Sequence, residues 1–229
     1  MSVEEAKKRA AEESSKLVKD GMVLGLGSGS TVAKLIDILA QKLGTELTEL
    51  YVIPTSYDTE FLARQAGFKV VSLEDHLPEL AIDGADEVDR EFNLIKGGGG
   101  CHTREKVVDY SSQELVIIVD YTKLVEKIGL NKPIPVEVLP FALRPVRKKL
   151  SEYGKVVLRY SSKGKLGPVV TDNGNFILDL YYGKEVENAE SLEISIKAIP
   201  GVVETGLFSG KKVKKVIVGY PDKAQILSK

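Results

Sequence analysis

Apolar positions along the chain alternate between two spacings. In the first segment Val3, Ala6, Ala10, Leu17 and Val18 recur at roughly helical intervals, and Asp20-Gly21 supplies a stop signal. The short apolar run MVLGLG then reads as a buried strand. SGSTVAKLIDILAQKLG reads as a loop entering a helix, with Val32, Leu35, Ile36 and Leu39 at helical spacing and Gly44 closing it. A strand (YVIPTS), a helix (Tyr57 to Ala66) and two further strands (KVVSL and LAIDGAD) follow. A strand-like FNLIK leads into GGGG, a helix begins near Thr103, and ELVIIVD is another buried strand. This alternation predicts an α/β domain with a largely parallel, Rossmann-like sheet.

Around Lys132-Pro133-Ile134-Pro135 the texture changes. The order becomes strand (PIPVEVL), helix (RPVRKKLSEYG), strand (KVVLRYS), then strand (FILDLYY, after the turn Asp172-Asn173-Gly174), helix (AESLEISIKAI) and strand (GVVETGLF). The pattern βαββαβ predicts a smaller α+β domain of the ferredoxin-like kind. The tail KKVKKVIVGYP reads as a strand returning to the first sheet. The expected division is therefore 1–130 plus 209–229 for the α/β domain that carries the candidate chemistry, and 131–208 for a small lid domain.

Composition narrows the function classes. With 43% hydrophobic and 28% charged residues the chain has the balance of a soluble globular protein, and its 229 residues can bury a core without staples. A formal net charge of −1 asks for no nucleic-acid or membrane partner. The single cysteine, Cys101, excludes an internal disulfide and fits a reducing cytoplasm. The N-terminal segment is too charged for a signal peptide, and no apolar run is long enough to span a bilayer. Low Cys, Met and Trp counts beside many Lys and Glu are in line with thermophile usage.

Four segments carry candidate chemistry. Gly25 to Thr31 joins a strand to a helix. Its glycines admit an anion, and Ser28, Gly29, Ser30 and Thr31 offer hydroxyl and N–H donors at a helix start. The plain alternative is a tight turn with a Ser or Thr cap. Asp83, Gly84, Ala85, Asp86, Glu87 and Asp89 follow an apolar strand, where α/β sheets bind ligands. Asp83 and Asp86 can converge on a substrate; the cluster also fits a divalent metal or a solvated acidic turn. Lys96 precedes Gly97, Gly98, Gly99 and Gly100, a costly run that suits a backbone wrapping a ligand better than a linker. Its N–H groups and the Lys96 ammonium can stabilise an oxyanion. Glu105 lies in the first turn of the next helix, as a dipole partner or as a base. Lys123, after ELVIIVD, and Lys7, in the first helix, are either anion contacts or solvated lysines. Cys101 and His102 adjoin the glycine run without a visible nucleophile–base partner, and with His76 they are too few for a zinc site.

GLGSGST, IDGADEVD, KGGGG and TREK, in this order and supported by DYTKLV, resemble type A ribose-5-phosphate isomerase along the length of the chain. The resemblance implies interconversion of ribose 5-phosphate and ribulose 5-phosphate in the non-oxidative pentose phosphate pathway. It implies Glu105 as proton acceptor and Asp83, Asp86 and Lys96 as further catalytic groups. Lys7, Ser28 to Thr31, Gly84, Ala85, Gly97 to Gly99 and Lys123 are implied as substrate contacts. It implies no cofactor, no metal, and a homodimer or homotetramer. Gly100 and Cys101 stand where the family carries small residues such as alanine. The alternatives are an amino-sugar-phosphate deaminase of the same broad fold and a non-catalytic sugar-phosphate sensor, which would need no Glu105.

Overall fold

Side-chain caps and apolar spacing set the helices. The Ser2 hydroxyl accepts the Glu5 N–H and opens α1 (Val3–Ser15). In the computed structural model, which describes residues 2–161, 164 and 166–229, α1 ends five residues before Asp20-Gly21. Met1 of the expected main domain and Ser162, Lys163 and Lys165 of the small one lie outside the described residues. The early stop has a local cause: the Ser14 and Ser15 hydroxyls donate back to the Ala11 and Glu12 carbonyls, competing with helical continuation.

The elements then run β1 (Val23–Leu26), α2 (Ser30–Lys42), β2 (Tyr51–Pro54), α3 (Tyr57–Gln65), β3 (Lys69–Val70), β4 (Leu80–Asp83), β5 (Glu87–Val88) and β6 (Leu94–Ile95). They continue with α4 (His102–Ser111), β7 (Glu114–Asp120), β8 (Ile134–Val138), α5 (Leu143–Leu150), β9 (Lys155–Leu158) and β10 (Phe176–Tyr181). Last come α6 (Ala189–Lys197), β11 (Val202–Thr205), β12 (Leu207–Phe208), β13 (Val213–Gly219) and β14 (Ala224–Ser228). No helix among the described residues is long and apolar enough to cross a membrane.

Backbone packing divides the chain into two units. One holds residues up to Ala85, Arg104–Leu124 and Lys211–Lys229; the other holds Asp86–Thr103 and Val125–Gly210. The first contains a seven-stranded sheet in the order β14-β13-β7-β4-β1-β2-β3, parallel except for β14. Leu24, Leu26, Leu35, Leu39, Ile82, Val116, Ile118 and Ile217 build its core. The near-continuous apolar runs of β4 and β7 suit strands covered on both faces. β1 has β2 on one side and β4 on the other, so the chain leaves it in opposite directions and opens a crevice at their carboxyl ends. The tail does return to this sheet, as β13 beside β7.

The second unit has an antiparallel sheet in the order β11-β8-β10-β9, the ferredoxin-like arrangement, over a core that includes Ile134, Val136, Val146, Leu150, Leu178 and Ile196. A three-stranded sheet, β12-β6-β5, completes it. The run GVVETGLF is two strands in different sheets rather than one. At Gly206 the chain changes sheet: its N–H donates to Pro135 O at 2.7 Å and its carbonyl accepts the Lys96 N–H at 2.9 Å. A Cβ there would lie 2.2 Å from Lys96 O, so only glycine permits the crossing. The pattern also missed the two-residue β5 and the half-exposed β14.

Candidate active site

In the first unit the chemistry gathers where β1 and β4 end. Asp83, the last residue of β4, is fully buried, and its Oδ1 accepts the N–H groups of Ser28 (3.1 Å) and Gly84 (2.6 Å). Gly27 makes this possible, since a Cβ there would sit 2.0 Å from Asp83 Oδ1. The Ser28 hydroxyl meets those of Thr55 (2.8 Å), Ser56 (2.9 Å) and Thr59 (3.1 Å), beyond the end of β2. These three are not among the residues the sequence singles out as substrate contacts. Their signal was the hydroxyl-rich TSYDT at a strand's carboxyl end, the same cue that flagged Ser28 to Thr31.

The helix after this loop is not capped by Ser or Thr. Its N-cap is Gly29, with φ 99°, no side-chain hydrogen bond and no acid in the first turn. By contrast α1, α3 and α6 are closed by Ser2, Ser56 and Asn188. With Gly29 and Ser30 exposed and Thr31 half-buried, the positive end of α2 is left open to an anion.

Lys7 pairs with Glu4 at 2.8 Å, and Lys34 of α2 pairs with the same carboxylate at 2.9 Å. The two ammoniums, Lys7 foremost, hold the Glu4 carboxyl down to about 2. Glu4 thus ties Lys7 to the helix that begins at Ser30. Lys123 is half-buried in the turn Tyr121–Lys123 after β7, capped by the Asp120 carboxylate. Glu105 is 5% exposed in the first turn of α4, where the helix dipole favours its anion.

In the second unit, Asp86 Oδ2 accepts the Gly98 N–H at 2.7 Å. The Lys96 side chain is buried, its ammonium 5.4 Å from the centre of the Phe208 ring. Gly98 and Gly99 are exposed, whereas Gly97 and Gly100 are buried. Arg159 Nη1 donates to the carbonyls of Gly97 (2.7 Å) and Gly98 (3.2 Å), and its other edge grips Asp179. Fully buried Glu137 of β8 accepts from Thr103, Thr171, Asn173 and Asn175. Cys101 is half-buried and His102 fully buried beside Gly97.

The structure thus brings Ser28 and Asp83 together in one unit, and Asp86, the glycine run and Arg159 in the other. Each acid of the cluster has backbone partners of its own. Asp83 serves Ser28 and Gly84, Asp86 serves Gly98, Glu87 accepts from Gly129 N–H, and Asp89 holds Glu91 and Asn93. Among the described residues no three His, Cys, Asp or Glu side chains group as metal ligands.

Residues 51–223 match the family model for ribose 5-phosphate isomerase A (phosphoriboisomerase A). The ribose-5-phosphate isomerase A of Archaeoglobus fulgidus is 49% identical over 96% of this chain and 98% of its own length. The solved ribose 5-phosphate isomerase A of Methanocaldococcus jannaschii superimposes with a TM-score of 0.94 at 48% identity, covering both chains fully. A D-ribose-5-phosphate isomerase in complex with phospho-erythronic acid does so with a TM-score of 0.96 at 40% identity, again over both full chains.

Proposed function

The chain belongs to the ribose 5-phosphate isomerase A family, and from that premise we propose how its own residues interconvert ribose 5-phosphate and ribulose 5-phosphate. The reaction moves a proton between adjacent carbons through an enediolate and transfers no net electrons, so it needs no redox cofactor. The carbon acid is weak and requires a positioned base. Glu105 takes the proton from carbon 2 of the open aldose and returns it to carbon 1. Lys96 and the glycine N–H groups stabilise the charge that develops on oxygen. Asp83 and Asp86 hold hydroxyls, assist ring opening and move the oxygen-bound proton. The phosphate rests on Ser28 to Thr31 at the open start of α2, with Lys7 and Lys123 as counter-charges. Gly84 and Ala85 shape the backbone beside the sugar. The complex of a 40% identical relative with phospho-erythronic acid supports a sugar phosphate as the ligand. A cytoplasmic homo-oligomer completes the proposal, in keeping with the single cysteine.

The observation that carries this reading is the burial of Glu105 at the anion-favouring start of the helix that follows the glycine run. Glu105→Gln keeps the shape and removes the base. Turnover is expected to fall by about 10²–10⁴-fold, the share of a general base, with little change in KM. Exchange of solvent deuterium into carbon 2 should fall in parallel. Near-normal turnover would make Glu105 a helix-start residue only.

A further inference from the structure

Four consecutive glycines have little intrinsic preference for one conformation, so a defined arrangement of their N–H groups must be imposed from outside. We propose that Arg159 imposes it: Arg159 is a positioning residue that fixes the peptide planes of the glycine run, aiming the Gly98 N–H at Asp86 and the Gly99 N–H at the substrate's reacting oxygens. The inference rests on the proposed role of the glycine run in the reaction.

The guanidinium is a rigid fork. One edge, Nε and Nη2, is committed to the Asp179 carboxylate of β10, with Nε at 2.9 Å from Oδ2. That commitment fixes where Nη1 points, and Nη1 meets Gly97 O at 2.7 Å and Gly98 O at 3.2 Å. The two side chains are only 16% and 12% exposed, so water competes little for these charged hydrogen bonds. Gly97 O also accepts the Gly100 N–H at 3.0 Å, closing the turn. In a trans peptide the carbonyl and the following N–H point in opposite directions. Holding Gly97 O therefore turns the Gly98 N–H away from Arg159, and it meets Asp86 Oδ2 at 2.7 Å. Holding Gly98 O turns the Gly99 N–H the same way, at a residue open to solvent. One side chain thereby sets a carboxylate and a donor.

The test uses the full chain with Arg159→Met and Arg159→Lys. The methionine removes the fork. The lysine keeps a cation beside Asp179 and protects the fold, but cannot serve both edges. For Arg159→Met, kcat is expected to fall by about 10²-fold with KM for ribose 5-phosphate nearly unchanged, as for a misplaced catalytic group. Arg159→Lys should fold as the wild type and still lose about 10-fold in kcat by the same logic. Inhibition by phospho-erythronic acid should weaken in proportion to kcat, because its planar carboxylate presents oxygens like those of the enediolate. Selective ¹⁵N-glycine labelling follows the 21 glycine amides directly. In the wild type the inhibitor should shift the Gly98 and Gly99 resonances, and in the variants these should already be displaced. Wild-type kcat in a folded Arg159→Lys protein, or a rise in KM with kcat retained, overturns the role of Arg159 while the glycine run stands. Glycine resonances that ignore the inhibitor in the wild type overturn the glycine reading, and this inference with it.

Discussion

Two buried carboxylates show how neighbours decide what an acid does. Asp83 accepts two backbone N–H groups and is held at the end of its strand. Glu87, three residues beyond Gly84, has Gly129 N–H on Oε2, and burial pushes its carboxyl above the usual range against the opposing pull of that N–H. A raised folded-state pKa means that burying the charge opposes folding at neutral pH, and that this cost is relieved as pH falls through the folded value. Wild type should therefore gain stability relative to Glu87→Gln as the pH falls from neutral towards the ordinary carboxylate range. Paired thermal melts across that range would read it; a constant difference would contradict it. At this scale the sequence showed what local chemistry can announce. Lys96 is unusual beside four glycines, whereas Glu105 is an ordinary acid at a helix start and stands out only because that helix follows the glycine run. Arg159 and Glu137 sit in ordinary strand sequence, and their partners lie far along the chain. Their meaning comes only from pairing Gly97 with Arg159 or Thr103 with Glu137, which no short window contains.

The helices and strands follow apolar spacing where one face decides the outcome, and depart from it where a hydroxyl or a glycine intervenes. α2 begins at Ser30, as the loop-to-helix pattern expects, yet its cap is Gly29 and not a hydroxyl. That distinction has a consequence for binding. If the open helix start takes the phosphate, Thr31→Ala should weaken binding of ribose 5-phosphate by ~1.5–3 kcal/mol, the value of one hydrogen bond to a charged group. Binding of unphosphorylated ribose should change far less. Titration calorimetry with both sugars checks this, and equal losses would place the phosphate elsewhere. GVVETGLF shows the opposite situation, a single strand-like run that the chain divides. Nothing in its spacing marks Gly206; the constraint is the nearby Lys96 carbonyl. β14, with no buried position and only Ala224 and Leu227 half-buried, carried too weak a pattern to be read.

For the whole molecule, the alternation of strands and helices was enough to expect two architectures and a returning tail, because parallel sheets and βαββαβ units have distinct rhythms. The strand order was not legible, since periodicity is blind to which neighbours pair. That order has one effect on how the protein is made. β13 lies between β7 and β14, so the strand beside Leu115–Asp120 comes from residues 213–219. A ribosome completes the whole βαββαβ segment before it supplies them. Until then β7 presents an unpaired, strongly apolar edge to the cell, the kind of edge that recruits other chains. A protein ending at Gly210 should accumulate as insoluble aggregate on expression. Soluble, well-dispersed material at normal yield would show that β7 is shielded some other way. β13 must therefore be translated before this enzyme can close its sheet, and a nascent chain stalled between β7 and β13 is a greater hazard than one stalled before β7.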